Sequence, residues 1–328
     1  MENSLICIIG NLNIDLIIRQ VPTLPKWGQE VIGNSHIKVS SGQATYTSFA
    51  LQKLNIQISI IGSVGDDIDG KKILADLQKN GVNISGCEVI KNGITGITVA
   101  IVNKKGERAF VSDPACLKKF SKSIILKHWM ETTNSSYVML AGLFFLPGLS
   151  LNDAAFLLKK SQSEGKTTVL DTGWDAGNWQ QETILGLRKL FANVNIFLPN
   201  LDEARAITGK QHPKEAAQCI HENGVETVVI KMGSSGSFGS SKGEVIKLPA
   251  FPVKVYDTVG AGDVFNAGFL LGHSRGYSFK DCIAFGNSAS HYYISHLNDR
   301  FPVFKEVYYL AKSNYDLDKS LINILEGK

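Results

Sequence analysis

The stretch Tyr256-Asp257-Thr258-Val259-Gly260-Ala261-Gly262-Asp263-Val264-Phe265-Asn266-Ala267-Gly268-Phe269 decides how the rest of the chain is read. Before it, Phe251 to Tyr256 carries Val253 and Val255 in alternation, the pattern of a strand. After it, Asp263 to Leu271 is mostly apolar at helix-compatible spacing. Between them Gly260, Ala261 and Gly262 leave the backbone nearly bare. A Gly-rich turn that opens a helix aims unpaired N–H groups at one spot, and the helix dipole adds partial positive charge there. That combination is a cradle for an anion. Asp263 stands beside it, where a carboxylate repels a bound anion. Its presence makes chemical sense if it takes a proton from a hydroxyl that then attacks a phosphoryl group. Asp is also a preferred helix cap, and the stretch alone supports both readings.

The surrounding chain is that of a globular protein. Its 328 residues suffice for one large domain or two, and 44% hydrophobic with 20% charged residues is ordinary for a globular enzyme. A formal charge of +4, with no basic run interleaved with aromatics, gives no support to nucleic-acid binding. Five scattered cysteines without a Cys-x-x-Cys pair read as free thiols in a reducing compartment. The apolar runs Leu5–Ile9 and Val138–Leu149 are too short or too broken for a signal peptide or a membrane span. A cytoplasmic protein is expected.

The opening stretch resembles the second signature of the ribokinase-like carbohydrate kinases, the phosphofructokinase-B family: Asp-Thr-x-Gly-Ala-Gly-Asp-x-Phe-x-Ala-Gly, with every fixed position present. The resemblance extends from about Leu5 to Ile294, with motifs in family order. It implies an α/β fold, a doubly wound, mostly parallel sheet flanked by helices, with a small β lid. It implies one kinase domain over 1–328, with lid insertions at about 16–39 and 91–111. The implied activity is transfer of a phosphoryl group from ATP, with Mg²⁺, to a hydroxyl of a small sugar. Asp263 is then the catalytic base, and Gly260, Ala261 and Gly262 form the anion hole.

Other segments supply the remaining parts. Leu5–Ile9 reads as a buried parallel strand ending at Gly10. Asn13 and Asp15 follow at its carboxyl end, where α/β sheets bind ligands, although an Asx-turn explains them as well. The resemblance makes Asp15 an acceptor-hydroxyl binder, with Asn13, Gly42 and Gln43 beside it. Gly65-x4-Gly70-Lys71 approaches a P-loop, but Lys72 stands where Ser or Thr would hold magnesium, and three aspartates in the loop would repel phosphates. Asn200 and Glu203 read either as a capping box or, by resemblance, as the Asn-x-x-Glu motif that orders water and Mg²⁺ around the triphosphate. By the same resemblance Lys231, Gly233 and Gly236 border ATP, and Asn287 lies beside the adenine. Asp257 and Thr258 match positions near a monovalent cation, which implies K⁺ activation. Lids in the family sometimes pair, which implies a homodimer through the lid.

Ser41, Tyr46, Trp174 and Asp175 depart from the family pattern near the acceptor. Tyr46 and Trp174 would suit a nucleoside base, which leaves a nucleoside kinase of the same fold as an alternative to the sugar kinase. A non-catalytic sugar or nucleotide sensor is a further alternative, although a sensor has no need of the base Asp263.

Overall fold

The structure, a computed structural model, describes residues 5–326. The first part of the chain forms β1 (Leu5–Gly10), β2 (Asn13–Val21), β3 (Ser35–Ser41), α1 (Gln43–Lys53), β4 (Gln57–Gly65), α2 (Ile68–Lys79) and β5 (Asn83–Ile90). Then come β6 (Gly96–Asn103), β7 (Arg108–Asp113), α3 (Lys122–Lys127), β8 (Ser135–Ala141), α4 (Leu151–Ser163), β9 (Thr167–Asp171) and α5 (Gln181–Phe191). The rest comprises β10 (Ile196–Phe197), α6 (Leu201–Thr208), α7 (Pro213–His221), β11 (Thr227–Lys231), β12 (Ser237–Ser241), β13 (Glu244–Leu248), α8 (Ala261–Ser274), α9 (Phe279–Ser295), α10 (Phe304–Asn314) and α11 (Lys319–Glu326).

Nine strands form one sheet in the order β13-β12-β11-β10-β9-β8-β1-β4-β5. It is parallel from β5 to β11 and ends in the antiparallel hairpin β12–β13. The inner strands are apolar on both faces because helices cover both. Along β1, Ile6 and Ile8 enter one core with residues of α1, α8 and α9, while Cys7 and Ile9 enter a second core with residues of α4, α5, α6 and α7. Alternation at period two across a doubly covered sheet leaves no polar face, so the strand reads as a continuous hydrophobic run. This is the doubly wound architecture the sequence implies.

A second sheet of four strands, in the order β3-β2-β6-β7, is built from 13–41 and 96–113. Its strand β2 follows β1 after only Asn11 and Leu12. Asn13 and Asp15 are therefore strand residues rather than loop residues. They alternate with Ile17 and Arg19 on one face of β2, and the first three are buried.

One sequence expectation fails here. Phe251 to Tyr256 forms no strand. β13 already ends the sheet, and the segment leaves that edge to reach α8, with Tyr256 N–H bonded to Ile294 O at 2.9 Å. Val255 is exposed, so the alternation buries no face. The cysteines form no disulfide; Cys7, Cys116 and Cys282 are buried, and Cys87 and Cys219 are half-buried. Among the described residues no helix is long and apolar enough to cross a membrane.

Gly42 joins the two sheets at the start of α1. It has φ +105°, and a Cβ there would lie 2.2 Å from the Asn11 carbonyl oxygen. Gly42→Ala is expected to lose about 1–3 kcal/mol of stability to backbone strain alone. An unchanged urea midpoint would show that the segment relaxes freely.

Candidate active site

The carboxyl ends of β1, β8 and β9 meet the start of α1 at one polar cluster. Asn11 Nδ2 donates to Asn13 Oδ1 at 2.9 Å, and Asn13 Nδ2 donates to Asp15 Oδ1 at 3.1 Å. Gln43 donates its N–H to Asn11 Oδ1 at 3.2 Å and its Nε2 to Asp171 Oδ1 at 2.9 Å. Glycines allow this approach: a Cβ on Gly142 would lie 2.2 Å from Asn11 Oδ1, and one on Gly173 would lie 2.8 Å from Gln43 Oε1. Burial pushes the Asp15 carboxyl up to about 6, against hydrogen bonds from Ser41 and Asn13 that favour its ionised form.

The signature stretch forms the other wall. Gly260 caps α8 with φ +82° in the left-handed region, where a side chain would also meet the Tyr46 ring at 3.0 Å. Ala261 N–H closes a turn on Thr258 O at 3.1 Å, and Asp263 N–H returns to Gly260 O at 3.1 Å. Among the described residues the amides of Gly260 and Gly262 meet no backbone acceptor. Of the three amides named from the sequence, that of Ala261 is engaged within its own turn. Lys231, at the end of β11, compensates. Its Nζ lies 3.4 Å from where a Cβ on Gly262 would stand, so an ammonium flanks the helix N-terminus.

Lys231 Nζ is ion-paired with Asp171 Oδ2 at 2.9 Å and bonded to Asn266 Oδ1 at 3.0 Å. Asn266 Nδ2 closes the triangle on Asp171 Oδ2 at 2.6 Å. Asp171, Glu203 and Asp263 are all buried around this single ammonium. Asp263 is held well above the usual carboxylate range, first by burial, then by Asp171, with Lys231 opposing and Asp15 and Glu203 adding. Glu203 is pushed up to about 7 by burial and by Asp171, again opposed by Lys231.

The remaining residues named from the sequence fall into three groups. Asn200 and Glu203 form a reciprocal capping box on α6: Glu203 N–H donates to Asn200 Oδ1 at 2.8 Å, and Asn200 N–H donates to Glu203 Oε2 at 2.9 Å. The capping-box reading of the pair is the one this geometry shows, and among the described residues no hydrogen bond to Glu203 Oε1 accompanies it. Gly233 and Gly236 have φ +57° and +86° in the turn after β11, and Gly236 passes so close to Leu248 O that a Cβ would lie 2.0 Å away. Asn287 on α9 stands beside the Tyr315 hydroxyl, but that hydroxyl donates to Pro249 O and the buried Asn287 Nδ2 makes no well-formed hydrogen bond among the described residues.

Asp257 and Thr258 are not open to a cation. Asp257 Oδ2 is ion-paired with Arg19 at 2.8 Å and Arg300 at 3.1 Å, its Oδ1 accepts Val259 N–H at 2.9 Å, and its carbonyl accepts Arg300 Nη2 at 3.1 Å. Arg108 donates to Thr258 Oγ1. Tyr46 is buried, edge-on to Tyr293 and tilted against Phe301, so it packs beneath the cradle and offers no face to a ligand. Trp174 is 54% exposed and edge-on to Trp179, while Asp175 is spent on the amides of Gly177 and Trp179.

Sequence reasoning missed Asp171 and Asn266 as the joints between Gln43 at the start of α1 and Lys231 at the end of β11. Asn266 lay inside the signature at a variable position, and Asp171 closed an apolar strand with a polar residue, which is the signal that could have marked it. Arg300 stands 43 residues beyond its partner Asp257, and no local pattern announces it.

The chain matches the model of the family described as pfkB family carbohydrate kinase over residues 3–305. It is 31% identical over 239 residues to an uncharacterized sugar kinase of Archaeoglobus fulgidus, covering 72% of this chain and 91% of that protein. It is 27% identical to a ribokinase of Haemophilus influenzae, covering 86% and 90%. The structure of an Arabidopsis thaliana ribokinase complexed with ribose and ATP superposes with a TM-score of 0.76 at 23% identity, covering 95% of this chain and 99% of that one. Fold, signature and family match agree: the chain belongs to the pfkB family of carbohydrate kinases and is a phosphotransferase that acts on an alcohol group.

Proposed function

We propose that the protein transfers the γ-phosphoryl group of ATP to a hydroxyl of a small unphosphorylated sugar. The observation that carries this reading is Asp263: a buried carboxyl of raised basicity, in the first turn of α8, beside the free Gly260 and Gly262 amides and near Lys231 and Asp15. Asp15 and Asn13 hold acceptor hydroxyls, with Gln43 steadied by Asp171. Asp263 takes the proton of the attacking hydroxyl as its oxygen bonds to the γ-phosphorus and the bond to the ADP oxygen breaks. The two amides and the Lys231 ammonium stabilise charge on the transferring oxygens, a contribution of roughly 3–4 kcal/mol for one well-aimed donor. Phosphoryl transfer depends mainly on such positioning and electrostatics. The second sheet, which carries Asp15, serves as the lid that excludes water. By the family resemblance Asn287 would lie beside the adenine, and the Gly233–Gly236 turn would border the phosphates.

The donor set also suits Mg²⁺. Three buried carboxyl groups share one ammonium, so a divalent cation could take the place of protons that Asp263 and Glu203 otherwise hold, and among the described residues Glu203 Oε1 has no hydrogen-bond partner. A bound Mg²⁺ would neutralise charge on the triphosphate. Against a phosphorylated acceptor, Arg19 is committed to Asp257 and Arg108 to Thr258. Against a nucleoside, Tyr46 is unavailable for stacking, which leaves Trp174 as the aromatic that would meet a larger acceptor.

The test is ATP turnover with Mg²⁺ against ribose, fructose, other hexoses, nucleosides and sugar phosphates. One unphosphorylated sugar is expected to turn over, and Asp263→Asn to lose about 10²–10⁴ in rate. Equal turnover in the variant would remove Asp263 as the base; preference for a nucleoside would replace the sugar reading.

Glu203 gives a pH prediction. Its carboxyl ordinarily titrates at 4.5 and is pushed up to about 7 in the fold. The folded state therefore keeps a proton that the unfolded chain releases, and stability falls as pH rises through that window. Glu203→Gln keeps an oxygen for the cap and removes the charge. Its melting temperature should match wild type near about pH 4 and exceed it near about pH 8. Parallel melting curves across that range would mean Glu203 is not strained by its neighbours.

A further inference from the structure

The family resemblance implies a monovalent cation at Asp257 and Thr258, and the residues there do not fit one. The Asp257 side chain is fully buried, with its Oδ2 shared by Arg19 at 2.8 Å and Arg300 at 3.1 Å. Arg300 is fixed from its other side by the Tyr293 ring, 4.0 Å from the guanidinium carbon, and by the Asp257 carbonyl at 3.1 Å. Arg19 and Arg108 both pair with Val102, so they occupy one row of the second sheet, and each reaches the loop before α8: Arg19 at Asp257, Arg108 at Thr258. The carboxylate that would attract a cation is already charge-balanced, and a further cation would meet three guanidiniums.

We propose that Arg19 and Arg300 replace the monovalent cation at Asp257, so that this kinase holds its anion-hole loop without K⁺. Because Arg19 belongs to the second sheet, the same ion pair ties that sheet to the loop. A cation can join a loop whatever the position of that sheet, whereas Arg19 is in place only when the sheet lies against α8.

The proposal rests on the phosphotransfer reading only for turnover, and the test avoids turnover. Binding of ADP with Mg²⁺ is titrated by calorimetry, and thermal melting is recorded, in K⁺, Na⁺ and choline chlorides at equal ionic strength. Wild type is expected to show the same ADP affinity within about twofold in all three salts, and no K⁺-specific rise in melting temperature. A K⁺-specific gain of about tenfold in affinity, or a melting temperature that climbs with K⁺ and not with choline, would overturn it. The double variant Arg19→Gln, Arg300→Gln removes both ion-pair partners of the buried carboxylate and leaves Arg108, bonded to Thr258, as the nearest guanidinium. It is expected to bind ADP about tenfold or more weakly in choline and to recover part of that loss in K⁺. Wild-type affinity in choline for this variant would show that the guanidiniums do not hold the loop. If the variant does not fold, the wild-type salt series still decides. Failure of wild type to bind ADP in any salt would count against the nucleotide reading, while the melting series would still report on the cation.

Discussion

Three carboxylates buried around one ammonium are the constraint on which the site depends. Asp171, Glu203 and Asp263 sit where the parallel strands end and α8 begins, and Lys231 is the ammonium among them. A buried like-charge cluster is costly, and proteins relieve it by holding protons, by pairing or by binding cations. Here the first two operate. Asp263 and Glu203 are pushed toward their protonated forms, and Asp171 is ion-paired with Lys231 and accepts a hydrogen bond from Asn266. A carboxyl of raised basicity thus stands in the first turn of α8, an arrangement that costs stability.

The second sheet turns this strained centre into a specific one. β2 places Asn13, Asp15 and Arg19 on one face, so one strand brings an amide and a carboxyl to the polar cluster at the end of β1 and a guanidinium to the loop of the signature. Asp171 performs a parallel task within the main sheet. One of its oxygens holds Gln43 at the start of α1 and the other holds Lys231 at the end of β11 and Asn266 on α8. A displacement on either side is therefore felt on the other through one rigid carboxylate.

The fold was legible because its signals are local. Runs such as Leu5–Ile9 and Thr167–Leu170 are apolar without alternation, which only a doubly covered strand explains, and Gly260 with Gly262 announces the helix start. Asp263 was singled out by the Gly-rich turn and the signature around it, and Asn13 and Asp15 by their place just after an apolar strand together with the family resemblance. What stayed hidden depends on contacts distant in sequence. Asp257 reads identically whether it faces a cation or Arg300, and the difference lies in a residue after α9. The alternation of Phe251–Tyr256 misled because period two marks a strand only when a neighbour is free to pair, and β13 had already closed the edge.

The position of β1 shapes how the chain assembles. It pairs on one side with β4, Ile9 opposite Ile61, and on the other with β8, Ile9 opposite Leu140. During synthesis the first ladder is available early, but the second waits until Ser135–Ala141 has emerged from the ribosome. Throughout that interval a fully apolar strand exposes one hydrogen-bonding edge. Parallel pairings at such sequence separation are slow to form, and they make nascent chains prone to association. The strand that finally lies at the heart of the sheet is thus, for much of the chain's synthesis, its most adhesive surface, and a fragment ending before β8 would keep that edge permanently.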